Sequence, residues 1–253
     1  MVPVPVHDTA PSRTAPLANI AIIAACTASF LWLFLLQQTL SHAQFIDAIQ
    51  SYWLIPNRLW VLAERSGFFS TTLYVPLLTA PLIHLSLLHL MGNMFFLYVL
   101  GDSVEDRLGH TGYVAFYFWG GIFAGLAHAL ANPGSVVPTV GASGAVAAVM
   151  GTYFVFFPRA RITFRIPLFP FFSFEIPALA VLAVWIGIQI ALAASQGPAD
   201  AAEPRVAVFA HLGGFAFGCL VGFGLRPPIL TRRRRSTRES EQSDGPRAKR
   251  SRA

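Results

Sequence analysis

Apolar runs separated by short polar stretches dominate the chain. Five of them, Leu17–Leu36, Leu82–Leu100, Tyr113–Leu130, Pro177–Ala194 and Val206–Leu225, reach the roughly 17–25 residues that a transmembrane helix needs. A sixth, Ala142–Phe157, is shorter. The runs are continuous rather than alternating in polarity, which predicts a helical bundle rather than a membrane barrel. The fold class expected is all-α: a polytopic bundle of six transmembrane helices over residues 17–225, with a short N-terminal segment (1–16) before it and a separate tail (226–253) after it. The first run is full length, has only Arg13 before it and no small-residue cleavage site after it, so it reads as a retained span rather than a signal peptide. Cys26 and Cys219 both fall within spans, which argues against a disulfide framework.

Composition agrees with this reading. With 55% hydrophobic and 12% charged residues, the chain is wrong for a soluble globule of 253 residues. Its net charge of +6 belongs to the tail. From Arg226 onward there are ten Arg or Lys against three Asp or Glu, a net +7, which leaves −1 for everything before. Arg232–Arg235 and the Ser, Glu and Pro that follow predict a disordered basic segment held at an anionic lipid surface, with no nucleic acid expected. Basic loops mark the cytoplasmic side. The tail and the loop carrying Arg159, Arg161 and Arg165 are therefore assigned there, and six spans bring the N-terminus with them. The uncharged stretch Ala131–Val140 and the long loop Gln37–Pro81, whose charges cancel, face outside. Tyr52, Trp53, Trp60, Phe68 and Phe69 give that long loop an interfacial composition.

The short run has a geometric consequence. Sixteen residues rise about 24 Å, against a hydrocarbon core of about 30 Å. With Arg159 and Arg161 at the lower interface, Ser143 in the first turn lies beneath the outer surface. His211 falls about 8 Å into its span, and His89 about 10 Å into another that also carries Asn93 one turn deeper. Intramembrane polar residues are functional candidates by default. His89 and Asn93 are four apart and share a face. His84, nine residues from Asn93, points nearly opposite on a continuous helix and reads as structural. His211, Gly214, Gly218 and Gly222 form a small-residue stripe, as do Ser143, Ala147 and Gly151, and such stripes let two helices approach closely.

Each feature alone has an ordinary reading: Gly and Ala at helix contacts, His and Asn as interhelical hydrogen-bond partners. Their agreement in depth and face is what points to chemistry. A serine hydroxyl is a weak nucleophile that needs an adjacent base, and neutral imidazole serves. His89, the Asn93 amide and the Ser143 backbone N–H at a helix start supply donors for an oxyanion. No His-Glu-x-x-His and no pair of intramembrane Asp residues is present, so metal-dependent and aspartyl proteolysis are disfavoured and no metal is expected. A transporter or proton path would spread ionisable groups through the membrane depth or repeat its spans, and neither is seen.

The chain resembles the rhomboid intramembrane serine proteases. The resemblance rests on His84-x4-His89-x3-Asn93, on Gly141-Ala142-Ser143-Gly144, on Ala210-His211 followed by Gly214 and Gly218, and on the acidic turn Val104-Glu105-Asp106-Arg107-Leu108-Gly109. It implies Ser143 as nucleophile, His211 as general base, and His89 with Asn93 at the oxyanion. His84, Gly141, Gly144, Gly214 and Gly218 would be structural supports. It further implies a six-helix rhomboid-like bundle that cleaves transmembrane protein substrates near the outer face without a cofactor, in a bacterial inner membrane with both termini cytoplasmic. The alternative is a non-catalytic rhomboid-like protein that binds transmembrane clients. Two positions depart from the family pattern. Ala147 stands where some members carry an aromatic ring stacked on the base, and Asn57-Arg58-Leu59-Trp60 stands where many carry Trp-Arg.

Overall fold

At the centre lies α7 (Ser143–Phe156), with eleven of its fourteen residues buried. It rises about 21 Å, too little to cross a bilayer core alone. It does not face lipid, because α5 (Leu87–Leu108), α6 (His110–Ala131), α8 (Ala178–Ser195) and α9 (Val208–Leu225) pack around it, with α1 (Leu17–Thr39) outside them against α5 and α6. These five are long and apolar enough to span a membrane. The molecule, a computed structural model, is described over residues 4–67, 70–166, 169–195 and 207–225. The basic tail from Arg226 and the aromatic pair Phe68–Phe69 lie outside the described residues.

The all-α bundle expected from hydropathy is present, and it carries elements that hydropathy does not register. The long first loop folds into α2 (His42–Ile49), α3 (Pro56–Ser66) and α4 (Thr71–Thr79), with single 3-10 turns at Gln50–Tyr52 and Ala80–Leu82. Ser41 and Gln44 form a capping box at the start of α2, and Pro56 occupies the first turn of α3, where a missing N–H costs nothing. Its aromatics do not behave as one interfacial set. Trp53 is buried, and Trp60 donates its indole N–H to the Ala129 carbonyl at 3.0 Å, pinning the loop to α6, while Tyr52 is exposed.

The second span also differs from expectation. The chain from Ile83 to Ser86 is not helical; α5 begins at Leu87, with the Ser86 hydroxyl accepting from His89 N–H at 3.3 Å. His84 therefore precedes the helix. No continuous helix joins His84 to Asn93, so the two are not held on opposite faces as the sequence pattern predicts.

At the far end of α7, three antiparallel strands form a small sheet in the order β1 (Val4–Asp8), β2 (Arg161–Ile166), β3 (Phe169–Pro177). The alternating Arg161-Ile162-Thr163-Phe164-Arg165-Ile166 has the period of two that a strand requires. The N-terminal segment, expected to be a mere lead-in, supplies β1 and reaches into the bundle, where Tyr153 donates its hydroxyl to the buried Asp8 carboxylate. The acidic turn closing α5 is bound to the start of α1. Glu105 accepts from the N–H groups of Ala18 (3.0 Å) and Asn19 (2.7 Å), and Asp106 from those of Arg13 (3.1 Å) and Thr14 (2.9 Å). These carboxylates thus occupy the positive end of a helix whose first N–H groups have no intrahelical partner.

Burial pushes the Asp8 carboxyl from its ordinary 3.8 up to about 6, opposed by the Tyr153 hydrogen bond and reinforced by Asp102. Between these values the folded state retains a proton that the unfolded state has lost. The stabilisation is therefore complete below about pH 4 and is lost as pH rises through 6. Asp8→Asn should be more stable than wild type at pH 7.5, by up to about 3 kcal/mol, and should flatten the fall in stability between pH 4 and pH 7.5. Thermal denaturation in detergent at the two pH values measures this.

Candidate functional site

Ser143 is the first residue of α7, following Ala142 at the N-cap. Its backbone N–H belongs to the first-turn set that makes no intrahelical bond. His211 is in the first turn of α9. The Ser143 hydroxyl and His211 Nε2 are 2.8 Å apart, hydrogen-bonding distance.

Close contact between α7 and α9 creates this distance. A Cβ on Gly214 would strike the Gly144 carbonyl oxygen, and one on Gly218 the Ala148 carbonyl oxygen. A Cβ on Gly222 would lie 2.9 Å from the Val155 side chain. From the opposite direction, a Cβ on Gly151 would run into the Phe215 carbonyl. Thr152 Oγ1 donates to the Gly218 carbonyl at 2.8 Å, a hydrogen bond between the two helices. Gly144 itself lies between α6 and α9, its missing Cβ leaving room for the Ala124 methyl.

Across the cavity, His84 joins two parts of the site. Its Nε2 accepts from Asn93 Nδ2 at 3.1 Å and from the Ala142 backbone N–H at 3.3 Å. Because the backbone N–H is always a donor, Nε2 is the acceptor for both. His84 is fully buried and thereby links Asn93 on α5 to the residue preceding Ser143. Its ring meets that of His89 edge to face at 5.3 Å. Gly141, at φ +124°, is left-handed, and an added Cβ would come 2.5 Å from His89 Cε1. Only glycine satisfies both the dihedral and the ring.

His89, Asn93, Ser143 and His211 line one cavity of about 500 Å³, together with apolar groups that include Phe96 and Met150. The lining thus mixes polar groups from α5, α7 and α9 with apolar side chains. Two residues were not anticipated. His211 Nδ1 lies 2.8 Å from Gln189 Oε1, and the Trp185 ring centroid lies 5.7 Å from that of His211. Gln189 and Trp185, four apart on α8, are the only residues between Ala178 and Ala194 with side-chain hydrogen-bonding atoms; that isolation in the sequence was the available signal. Among the described residues no cluster of His, Cys, Asp and Glu suits a metal ion.

A helical bundle with this hydropathy and a polar site among its spans is an integral, multi-pass membrane protein. Residues 71–228 match the rhomboid domain, and the chain belongs to the rhomboid family. It is 29% identical over 178 residues to the presenilin-associated rhomboid-like protein A, mitochondrial, of Danio rerio, covering 68% of this chain and 44% of that one. Rhomboid protein 1, mitochondrial, of Saccharomyces cerevisiae is 25% identical over 195 residues, covering 74% and 53%. A shorter match, 43% over 68 residues, joins it to rhomboid-like protein 11, chloroplastic, of Arabidopsis thaliana, with 27% and 24% covered. The chain spans about half the length of the first two relatives. Their names assign them to mitochondria, which stands against the bacterial inner membrane expected from sequence; membership of a multi-pass membrane family is what holds.

Proposed function

We propose that the protein is an intramembrane serine endopeptidase that cleaves transmembrane proteins through a dyad of Ser143 and His211. The observation that carries this reading is the 2.8 Å approach of Ser143 Oγ to His211 Nε2 inside a cavity that also holds Asn93 and His89.

In this reading His211 Nε2 takes the hydroxyl proton as Ser143 Oγ attacks the scissile carbonyl. The resulting oxyanion accepts from the Ser143 backbone N–H, the second amide hydrogen of Asn93 and the His89 ring. Asn93 suits the task because His84 holds its other hydrogen, so the amide is oriented before substrate arrives. Collapse breaks the C–N bond, and the imidazolium returns its proton to the leaving amine. Water then enters and attacks the ester as His211 takes one of its protons; the bond to Ser143 Oγ breaks, the acyl group leaves as a carboxylic acid, and the imidazolium returns the proton to Ser143 Oγ. No cofactor takes part.

A backbone held in a helix keeps its carbonyls bonded, so the preferred substrates are single-span segments with Gly, Pro or other helix-weakening residues near the membrane face where α7 begins. That face is opposite the basic loop Arg159–Arg165 and the β1–β3 sheet, which the positive-inside rule puts on the cytoplasmic or equivalent side with the N-terminus and tail. The surrounding partner is the bilayer itself.

Labelling by a fluorophosphonate probe tests the reading without knowledge of the substrate. Wild type is expected to label stoichiometrically and Ser143→Ala not at all. Equal labelling of the two proteins, or none of a folded wild type that also leaves helix-weakened substrates intact, would overturn the reading in favour of a non-catalytic client-binding protein.

A further inference from the structure

The base in this site has to be oriented from outside α7. Position 147, one turn beyond Ser143, is a fully buried alanine. The missing Cβ of Gly214 would sit only 3.3 Å from its methyl, so α9 occupies the space that a ring on α7 would need. What His211 meets is α8, which presents the Gln189 carbonyl oxygen to Nδ1 and the Trp185 ring to its side.

Ala178, Leu182 and Gln189 are the buried residues of α8 and lie on one face at helical spacing, with Gln189 the polar member of the set. An amide buried in this setting costs free energy unless its polar atoms are partnered. Among the described residues its side-chain partner is His211.

We infer that Gln189 is the positioning residue of the dyad: its side-chain oxygen accepts from His211 Nδ1–H, holding the imidazole in the tautomer whose Nε2 is free to take the Ser143 proton. A neutral ring carries one hydrogen, and Nε2 acts as a base only if that hydrogen is on Nδ1. An acceptor at Nδ1 selects this tautomer. The reversed amide would donate to Nδ1, drive the hydrogen to Nε2 and leave Ser143 facing a donor. Gln189 thus fills with a neutral group the orienting place that a carboxylate fills in a Ser-His-Asp triad, and it does so from a different helix than either dyad member. Trp185 limits rotation of the ring from the same helix.

The inference rests on the reading of Ser143 and His211 as the reacting pair, so its test has one arm that needs no proteolysis. Nitrogen-15 NMR of histidine-labelled protein in detergent reports the tautomer, with His211 assigned by its loss in His211→Ala. In the Ser143→Ala background Gln189 is the remaining partner of His211 given above, and Nδ1 is expected to be the protonated, pyrrole-type nitrogen. Adding Gln189→Leu, similar in volume but without an acceptor, should abolish that preference. An unchanged tautomer overturns the inference whether or not the protein is a protease.

The second arm is kinetic. Gln189→Leu should lower kcat about 10- to 100-fold while leaving KM within about twofold, because only the acid–base step is touched. Gln189→Glu offers an acceptor oxygen whether its carboxyl is ionised or not, and should keep kcat within about fivefold of wild type. A purely structural amide predicts the reverse, with leucine tolerated on an apolar helix and glutamate damaging; that result would also overturn the inference. If no variant and no wild type cleaves any substrate, the proposed function fails and the NMR arm alone decides the role of Gln189.

Discussion

Ser143→Ala and His211→Ala are each expected to reduce cleavage of a helix-weakened model transmembrane substrate by about 10⁴-fold or more, and the double variant by no more than either alone. Non-additivity is the informative part. A hydroxyl without its base and a base without its hydroxyl are equally unable to start the acyl transfer, so the second removal has nothing further to remove. The residual rate, if measurable, would come from the oxyanion donors, which neither substitution touches. Neither variant should unfold the protein. Ser143 contributes one hydrogen bond whose net stabilisation is about 1 kcal/mol, and the α7–α9 contact is made by glycines rather than by the dyad. Thermal denaturation alongside the cleavage assay separates lost chemistry from lost fold. Loss in one variant with retention in the other would dismantle the dyad.

Gly218→Ala carries the second large effect, and it acts without touching a reacting atom. The added methyl would overlap the Ala148 carbonyl oxygen and lie 2.7 Å from its carbon and 2.9 Å from Ala148 Cα, all of it backbone that no rotamer change can clear. Alanine is worth about 1 kcal/mol more than glycine in a helix interior, yet overpacking at a site this tight costs about 1–3 kcal/mol and more where backbone must move. We expect a net loss of about 2 kcal/mol. Any retreat of α9 from α7 also lengthens the Ser143–His211 hydrogen bond, and an error near 1 Å costs about 10²-fold in rate. Gly224→Ala is the matched control on the same helix, because its added methyl meets nothing within 4 Å. It should leave cleavage unchanged and raise stability by no more than about 1 kcal/mol. Equal behaviour of the two variants would mean that the close approach of α7 and α9 does not matter.

How much of this was legible beforehand depends on which physical signal each feature leaves. Hydropathy found every long helix to within a few residues at most boundaries, because burying apolar side chains in lipid or protein is the term that dominates there. It failed at Ile83–Ser86, since a hydropathy window averages across a break. The local signals, Pro81 and the N-cap serine Ser86, were in plain view. That one boundary decided whether His84 faced away from Asn93 or bonded to it. The Arg161–Ile166 strand was missed for a related reason: a period of two is invisible to a sum over a long window. His89, Asn93, Ser143 and His211 could be grouped because each is polar inside an apolar run. Gln189 meets the same criterion and escaped only because no motif drew attention to it. That the Asp8 carboxyl would meet Tyr153 could not be read at all, since a contact between residues 145 apart leaves no mark in local pattern.

The enclosure of α7 has one more consequence, for how the protein experiences its host membrane. Lipid thickness acts on a helix only where acyl chains touch it, and a span shorter than the bilayer is ordinarily forced to tilt or to thin its surroundings. Here the helix that bears the nucleophile is the short one, and its solvent is protein on nearly every side. Hydrophobic mismatch is therefore borne by the outer spans, chiefly α1 and α8, whose surfaces are the least covered. The nucleophile keeps its depth while the annulus of lipid around the bundle varies in thickness.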